Sequence, residues 1–418
     1  MNLPSQIRDQ ISELLDKKCP KRRRPFACSF DIRLSEKKAF VVDGNFFPAG
    51  WHRFPFPKKS EWAMHQRNVK SFFRWKGDES IAIVPEHHIQ NEDYLHNLAW
   101  IHNFFECCGF RTFVMPITED GSIPQKVSLD HILGPCHESP LTYFPYECQK
   151  HQLVVEGHRI DFALSQYDGS KSELRLSKSV DLPFYPPHFC SWQHRRKHQY
   201  FEAYHRFVSD VEKELGEDMS PYRFAFESFT VQKDLKLPTT PIEKAALAVT
   251  EHWDKVVTWV KRVTAHCGDS GYWILKSDHG TYGLGVEVLS ADEPIQSWSV
   301  RKIKRFRHGR HNMPVLGLVL QEGIPSSLKI DGKVAERVDY YFLGEKFSHL
   351  FRLHGEKSAL ENLNRPGAEY ALDAPTLSLE DKNRLDIASI LAFGGACTEY
   401  EGILKEEDKR SLGRSHPT

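Results

Sequence analysis

The stretch GYWILKSDHGTYGLGVEVLS, from Gly271 to Ser290, is the most informative part of this sequence. The apolar residues before Lys276 predict a strand that ends at this lysine, and a glycine-rich loop follows it. After the loop, Val286 to Leu289 alternates as a strand does. A Walker loop or a dinucleotide-binding fold requires a helix directly after its glycines. The stretch therefore predicts a glycine hairpin between two strands and excludes both of those motifs.

The loop contains the residues needed to hold phosphates. Gly280, Gly283 and Gly285 let backbone N–H groups approach phosphate oxygens without a Cβ in the way, and the Lys276 ammonium offsets the phosphate charge. Thr281 lies between the glycines as a further phosphate contact. Such a hairpin is the flap of an ATP-grasp site, but an ordinary glycine-rich turn beside a surface lysine has the same local sequence. The segment alone leaves both interpretations open.

A second element follows at Val315 to Leu320, which predicts a buried strand that ends in Gln321-Glu322-Gly323-Ile324. At a domain hinge, adenine can pair with backbone groups, which makes Gln321 and Ile324 candidates for the nucleotide site. Glu322 is the candidate acceptor for the ribose hydroxyls. A solvated glutamate at a strand end is the commoner interpretation of such a sequence.

The third element combines Arg352 with the segment Glu361-Asn362-Leu363-Asn364. Magnesium prefers oxygen ligands, so Glu361, Asn362 and Asn364 suit an ion that bridges nucleotide phosphates, and residues 362 and 364 would share a strand face. Arg352 could stabilise an acyl-phosphate oxygen through charge-assisted hydrogen bonds. Taken singly, such a segment is more often a turn. The order lysine, glycine hairpin, hinge carboxylate, arginine and Glu/Asn favours a catalytic site.

Composition and charge limit the class of protein. The chain has 418 residues, enough for two or three compact units, and Lys plus Arg equals Asp plus Glu at 56 each. This balance removes the electrostatic case for nucleic acid or an anionic membrane as the main partner. No apolar run approaches the roughly 20 residues of a spanning helix, and the N-terminus predicts an amphipathic helix. Nine scattered cysteines favour reduced thiols, so a cytoplasmic location is expected.

The first half of the chain predicts an α/β unit. Ser80 to Pro85 is a strand, a helical pattern runs through Tyr94 to Phe105, and Thr112 to Met115 is a second strand, which together form a βαβ unit on a largely parallel sheet. Gln232 to Pro241 has the composition of a linker. We therefore predict a substrate-binding α/β domain at residues 1–235 and a nucleotide-binding catalytic domain at 236–418.

Several motifs resemble the glutamate-cysteine ligases of the proteobacterial ATP-grasp type. The N-terminal block FDIRLSEKKAFVVDGNFFPAGWHRF resembles the family's Asp-x-Asn-x-Phe-Pro-Ala-Gly signature, and IAIVPEHHIQNEDYLHNLAWI resembles its Pro-Glu-x-His-x-x-Asn segment. Further blocks in the family's order are YPPHFCSWQHRRKHQYFEAY, LKSDHGTYGLGVEVL, LQEGI, FRLH and ENLNRPG. The similarity extends from about residue 30 to 375. It departs from the family pattern at Ser165 to Asp168 and at Ala335 to Val338.

The resemblance implies an ATP-grasp fold of the α/β (α+β) class with an N-terminal pre-ATP-grasp domain. It implies an ATP- and Mg²⁺-dependent carbon–nitrogen ligase that makes γ-glutamylcysteine for glutathione synthesis through a γ-glutamyl phosphate. Lys276 and Arg352 would then be catalytic. The small-molecule substrates would be glutamate and cysteine, without nucleic acid or membrane.

Candidates for the amino-acid substrates are spread over the first half. The basic cluster around Arg195, Arg196 and Lys197 could bind carboxylates, as could Arg53, and an exposed basic helix start is the alternative interpretation of the cluster. Asn45 and Asp168 complete the predicted substrate residues. The alternatives for function are a ligase that joins a different amino-acid or amine pair and a non-catalytic nucleotide-binding regulator.

Overall fold

The computed structural model describes residues 4–85, 91–118, 121–123, 125–136, 140–166, 176, 180–191, 194–230, 254–264, 272–279, 285–289, 295, 298–299, 302–303, 306, 315, 317–364, 366–374 and 376–412. In these ranges the α-helices are α1 (Pro4–Lys18), α2 (Trp62–Phe73), α3 (Glu92–Cys107), α4 (Lys197–Leu215), α5 (254–264) and α6 (Leu379–Leu412). Short 3₁₀ helices lie at Lys21–Arg23, Trp51–Arg53, Lys59–Glu61, His188–Cys190 and Ser220–Tyr222. No helix within the described ranges has the length and apolar character needed to cross a membrane.

The strands in the first part of the chain are β1 (Ala27–Leu34), β2 (Ala39–Asn45), β3 (Ser80–Val84), β4 (Arg111–Val114), β5 (Ile117–Thr118), β6 (Gly121–Ser122), β7 (Val127–Leu133), β8 (Pro140–Tyr143), β9 (Glu147–Gln149), β10 (Gln152–Val155), β11 (His158–Arg159), β12 (Phe162–Ser165), β13 (Phe184–Tyr185) and β14 (Phe226–Thr230). Those that follow are β15 (Trp273–Ser277), β16 (Val286–Leu289), β17 (Gly317–Glu322), β18 (Lys329–Ile330), β19 (Lys333–Phe342), β20 (Glu345–His354) and β21 (Glu369–Ala371). The predicted mixed α/β class is confirmed.

The central sheet joins the two ends of the chain. Its antiparallel strands run in the order β2-β1-β19-β20-β21, and β18 pairs with β19. Because side chains alternate between the faces of a strand, every second residue faces the same side. One face lines a large cavity with the side chains of Ser29, Asp31, Arg33, Glu336, Val338, Tyr340, Arg352, His354 and Tyr370.

The opposite face of the central sheet is apolar and packs on helices. Phe30 and Tyr341 belong to the same core cluster as residues of α1, α4 and α6, and the Tyr341 ring stacks on Phe393 of α6 at 4.0 Å between centroids. Gly395 of α6 allows this helix to lie close to α4, since a Cβ there would be 2.7 Å from Cα of Tyr204. The long helix α6 therefore holds the sheet on one side and leaves its polar face open on the other.

The second large sheet has the predicted βαβ unit at its centre. Its order is β13-β12-β3-β4-β8-β7, and all pairs are parallel except β7 with β8. The helix α3 connects β3 to β4, as predicted, and packs its apolar side chains into the core beside β3. The start of α3 thereby lies at the carboxyl end of β3. Two small antiparallel sheets, β11-β10-β9 and β5-β6, extend this region.

The third sheet contains the glycine hairpin. Its antiparallel strands run in the order β14-β17-β15-β16, and Lys276 lies opposite Val286 in the β15–β16 pair. A strand thus follows the glycines, as predicted. The hairpin residues 280–284 lie outside the described residues.

Three expectations differ from the structure or lie beyond it. Residues 361–364 form bends rather than a strand, because the Asn362 Oδ1 accepts a hydrogen bond from the Asn364 backbone N at 2.8 Å and turns the chain locally. The sequence pattern predicts a last helix from Leu379 to Phe393, whereas the observed helix continues to Leu412. The predicted boundary near residue 235 lies outside the described residues, so it stays a prediction.

Candidate active site

A cavity of about 730 Å³ lies between the polar face of the central sheet, the hairpin sheet and the start of α3. It brings together most of the residues that the sequence suggested. Those predicted for nucleotide, phosphate and metal that line it are Lys276, Gln321, Glu322, Ile324, Arg352, Glu361, Asn362 and Asn364. Those predicted for the amino-acid substrates that line it are Asn45, Arg53, Arg195 and Lys197. Arg196 and Gly285 are not among its lining residues, and Gly280, Thr281, Gly283 and Asp168 lie outside the described residues.

Lys276 is a buried amine at the end of β15. Its side chain is 6% exposed, and its Nζ donates to the Val42 carbonyl and to Gln321 Oε1, both at 2.6 Å. Burial lowers the pKa of Lys276 to about 7, although the nearby Asp43 carboxylate acts in the opposite direction. Desolvation penalises the charged form of an amine, and an added anion would relieve that penalty. The site around Lys276 therefore fits the phosphates of a nucleotide.

The base of the glycine hairpin is fixed to the start of α4. The Asp278 carboxylate accepts from the His198 backbone N at 3.0 Å and lies 2.7 Å from His198 Nδ1, while its carbonyl accepts from the Lys197 backbone N at 2.7 Å. The hydrogen bond to Asp278 raises the pKa of His198. Asp278 thus caps the first N–H groups of a helix distant in sequence. At the far side of the hairpin, Gly285 has a φ of 66°, which favours glycine.

Arg352 lies at the centre of a buried charge network. Its Nη1 donates to Asp31 Oδ2 at 2.9 Å and to Glu336 Oε1 at 2.7 Å, and Arg33 Nε donates to Glu336 Oε2 at 3.0 Å. Burial raises the pKa of Asp31 despite Arg352, whereas for Glu336 the two arginines outweigh burial and lower its pKa. The network balances two carboxylates against two guanidinium groups, so Arg352 is held in one orientation toward the cavity.

Sequence reasoning missed Asp31, Arg33 and Glu336. The available signal was the alternation of charged and apolar residues in FDIRL, together with the adjacent charges of VAERV, since charged side chains in a largely buried strand need partners. Such an alternation is also typical of a half-exposed strand. Whether the charged face of such a strand is solvated or covered depends on what packs against it in the tertiary structure.

The loop between β20 and β21 contains the candidate magnesium ligands. The Arg33 guanidinium donates to three successive carbonyl oxygens of this loop, with Nη1 at 3.2 Å from Ala359 and 3.0 Å from Leu360 and with Nη2 bonded to Glu361. Each end of the loop is bonded to His354: its Nδ1 accepts from Glu356 N at 3.3 Å, and its Nε2 donates to the Pro366 carbonyl at 3.1 Å. The loop is therefore fixed at its middle and at both ends.

The oxygen donors of this loop fit a hard divalent ion. Glu361 accepts from Lys357 Nζ at 3.0 Å and from Ser358 N at 2.9 Å, and a carboxylate has about four acceptor positions, so coordination capacity is left. The side-chain amide oxygens of Asn362 and Asn364 are further ligands of a kind that Mg²⁺ accepts. Among the described residues, no group of three or more His, Cys, Asp or Glu side chains is placed to hold a metal ion.

The basic cluster at the start of α4 is engaged rather than exposed. Arg195 pairs with Glu399 of α6 at 2.9 Å, donates to the Gly44 carbonyl and lies over the Phe46 ring. Lys197 pairs with Asp43 at 2.6 Å. The interpretation of this cluster as an exposed helix start is wrong for Arg195 and Lys197, because both face inward.

Glu322 is likewise held in place. Its Oε1 pairs with Lys38 Nζ in the turn between β1 and β2, and its Oε2 accepts from the Ala225 backbone N at 2.9 Å. The carboxylate is thus oriented by two separate elements at the end of β17, beside the cavity.

The chain is similar to one protein family and to several solved structures. The family model of glutamate-cysteine ligase (GshA) matches residues 4–387. Among solved structures, a candidate gamma-glutamylcysteine synthetase from Methylobacillus flagellatus KT has a TM-score of 0.70 and 22% identity, over 96% of this chain and 94% of that chain. No curated protein matches the chain.

Two further solved structures are similar over a smaller part. D-alanyl-alanine synthetase A from Vibrio cholerae has a TM-score of 0.38 and 10% identity, covering 74% of this chain and 79% of that chain. The VanG D-Ala:D-Ser ligase from Enterococcus faecalis has a TM-score of 0.40 and 11% identity, covering 76% and 83%. The Methylobacillus structure shows a shared fold, and the family model covers nearly the whole sequence. The chain belongs to the glutamate-cysteine ligase family, which consists of ATP-dependent ligases.

Proposed function

We propose that this chain joins the γ-carboxylate of glutamate to the amine of cysteine at the expense of ATP, as the first step of glutathione synthesis. The observation that supports it most is the single cavity in which Lys276, Arg352 and the Glu361 loop meet. Residues 1–235 would supply most of the amino-acid site and residues 236–418 most of the nucleotide site. We place the reaction in the cytoplasm, with small molecules and no nucleic acid as partners.

In this proposal Lys276 and the hairpin bind the phosphates. The Lys276 amine becomes charged when the phosphates replace water around it, and the backbone N–H groups of Gly280, Thr281, Gly283 and Gly285 cover them. Gln321 and Ile324 contact the adenine, and Glu322 accepts from the ribose hydroxyls. The hydrogen bond from Lys276 to Gln321 supports one connected nucleotide site.

Glu361, Asn362 and Asn364 would hold magnesium. A bound ion of this kind neutralises phosphate charge during phosphoryl transfer. The chain's part is to keep these three oxygen donors in place, which the bonds from Arg33 and His354 to the loop support.

Arg352 is proposed to stabilise the transferring group. The γ-carboxylate oxygen of glutamate forms a bond to the γ-phosphorus of ATP, ADP leaves, and the cysteine amine then displaces phosphate from the acyl carbon. Charge builds up on the phosphoryl oxygens, and a fixed guanidinium lowers the energy of that state because it needs no reorientation. The pairing of Arg352 with Asp31 and Glu336 supports such a fixed position.

Asn45, Arg53, Asp168, Arg195, Arg196 and Lys197 are proposed to contact the amino acids. Arg195 would contact the substrate while it also pairs with Glu399, and Lys197 while it also pairs with Asp43. An Arg195→Ala variant with unchanged KM values for both amino acids would exclude the role of Arg195.

Phosphate release from Mg-ATP tests the function. We expect release only when glutamate and cysteine are both present, with γ-glutamylcysteine formed in equal amount. Turnover that requires a different carboxylate and amine would assign another ligase activity, and tight ATP binding without turnover would indicate a regulator. A Lys276→Met variant should lose activity, while Lys126→Met, at an exposed lysine, should not.

A further inference from the structure

One part of the cavity wall presents a pair of opposite charges. Arg53 Nη2 donates to both carboxylate oxygens of Asp93 at 2.9 Å. Arg53 comes from the short helix Trp51–Arg53, and Asp93 from the first turn of α3. Both side chains line the cavity, where Asp93 is 57% exposed and Arg53 is 19% exposed. The pair therefore remains accessible to a ligand although its members already contact each other.

Each member of the pair has bonding capacity left. A guanidinium has five N–H donors, and a carboxylate accepts at about four positions. Nη2 alone serves Asp93, while Nη1 is 3.2 Å from His52 Nε2. The same His52 nitrogen lies 3.0 Å from Asp93 Oδ1, so Asp93 keeps about one of its four acceptor positions for a ligand. Burial and Arg53 lower the pKa of His52, which favours the neutral form of this ring, so the charges of Arg53 and Asp93 balance each other.

A balanced pair selects a particular ligand chemistry. A polyphosphate, or a ligand that presents two carboxylates at this position, would place negative charge beside the Asp93 carboxylate. This repulsion is unfavourable. A ligand with a carboxylate and an ammonium group on the same carbon matches both charges at once. Its carboxylate can bind the Arg53 guanidinium, and its ammonium can bind Asp93. This is the α-end of an amino acid.

The position of the pair relates it to the reacting groups. The Arg53 guanidinium lies 4.0 Å above the Tyr370 ring, and Tyr370 is directly opposite Arg352 in the β20–β21 pair. Side chains directly opposite each other in an antiparallel pair have Cβ atoms about 4.5–5.5 Å apart. An amino acid bound at the pair can extend its side chain along the sheet face, past Tyr370, toward Arg352.

We propose that Arg53 and Asp93 form the subsite for the α-carboxylate and α-ammonium of the amino acid whose side-chain carboxylate is phosphorylated, with Tyr370 as the support for Arg53. This inference rests on the proposed function and extends it, since it assigns the pair to the donor substrate and not to the acceptor. Asp93 and Tyr370 then join Arg53 as determinants of substrate specificity.

Two analogues of glutamate separate the two charges. Glutarate lacks the α-ammonium, and 4-aminobutyrate lacks the α-carboxylate, but both keep the reacting carboxylate. We expect Asp93→Asn to reduce the wild-type preference in kcat/KM for glutamate over glutarate by about tenfold or more, the range for hydrogen bonds to charged groups. Arg53→Gln should reduce the preference over 4-aminobutyrate in the same way. The KM for ATP should stay near that of the wild type in both variants.

Asp9→Asn is the matched control, because Asp9 pairs with Arg8 at 2.9 Å on the exposed face of α1. It should leave both preferences unchanged. Equal preferences in Asp93→Asn and wild type would overturn the inference. It would also be overturned if Asp93→Asn altered the preference for cysteine over cysteamine instead, since the pair would then serve the acceptor.

Ligand binding can be measured without turnover, so it tests the subsite separately from the proposed reaction. Titration calorimetry with glutamate, glutarate and 4-aminobutyrate, without ATP, should show tightest binding of glutamate to the wild type. The Asp93→Asn variant should bind glutamate and glutarate with similar affinity. A wild type that binds glutamate in this way but releases no phosphate with any amine would contradict the proposed function alone, whereas equal binding of all three ligands by the wild type would overturn the subsite.

Discussion

Lys276 illustrates, at the scale of a single residue, how burial changes what a side chain can do. An exposed lysine is charged at neutral pH and needs no partner, whereas burial lowers the pKa of this amine to about 7. The free protein therefore contains a mixture of charged and neutral Lys276 near pH 7. The bonds to Val42 and Gln321 keep the amine aimed at the cavity in the absence of nucleotide.

Nucleotide binding should take up a proton at Lys276. At about pH 8 the amine is mostly neutral in the free protein, and the phosphate charge raises its pKa, so close to one proton is bound on association. Calorimetric titration of ATP in two buffers of different ionisation enthalpy measures this uptake. Lys276→Met should lose it and Lys126→Met should retain it. Equal uptake in Lys276→Met and the wild type would exclude Lys276 as the group that titrates.

At the scale of a structural element, the loop between β20 and β21 also depends on distant partners for its position. No regular backbone ladder holds residues 361–364, and their position depends on side chains from β1 and β20. The two bonds of His354 require that Nδ1 is unprotonated and Nε2 protonated, because one accepts from an N–H and the other donates to a carbonyl. Arg33 supplies bonds to three carbonyls of the loop from a strand more than 300 residues away.

Arg33→Lys should loosen this loop while it keeps the charge beside Glu336. An ammonium cannot reproduce the planar fork that binds Glu336 and three carbonyls. We expect a loss of about 1–3 kcal/mol in the free energy of unfolding and a rise of about tenfold in KM for Mg-ATP, with a smaller change in kcat. Denaturant unfolding and steady-state kinetics measure these effects. Arg8→Lys, on the exposed face of α1, is the control, and a KM for Mg-ATP equal to that of the wild type would contradict a role of the loop in the nucleotide site.

At the scale of the whole molecule, α6 connects parts of the chain that are far apart in sequence. It packs on α1, α4, β1 and β2, and Glu399 on this helix pairs with Arg195 at the start of α4. Burial raises the pKa of Glu399 although Arg195 opposes the shift. Arg195 also donates to the Gly44 carbonyl of β2, so one ion pair links α6 to both the helix and the sheet beside the cavity.

Removal of Glu399 should therefore destabilise the entire fold. Glu399→Ala leaves the Arg195 charge buried without its partner, which costs about 3–5 kcal/mol in the free energy of unfolding. Glu399→Gln should cost less, since an amide oxygen still accepts a hydrogen bond. Chemical denaturation measures both, with Glu380→Ala at the exposed start of α6 as control. A change below about 1 kcal/mol in Glu399→Ala would show that the pair contributes little.

The amino-acid sequence by itself determined the local elements. Apolar spacing predicted β3, α3 and β4, and the strand after the glycines predicted the β15–β16 hairpin, because each signal depends on residues that are neighbours along the chain. The resemblance in short motifs was sufficient to identify the family, which the family model confirms. Where the local signal was ambiguous, as at Asn362, a turn formed instead of the expected strand.

Only the tertiary structure decided which charges meet. Asp31 and Arg352 are 321 positions apart, and Arg53 and Asp93 are 40 apart, so no periodicity in the sequence relates them. Their pairing follows from strand register in the central sheet and from the place of α3 beside it. A buried charge is tolerated only where an opposite charge or hydrogen bonds compensate it, and that compensation exists only after distant strands have come together.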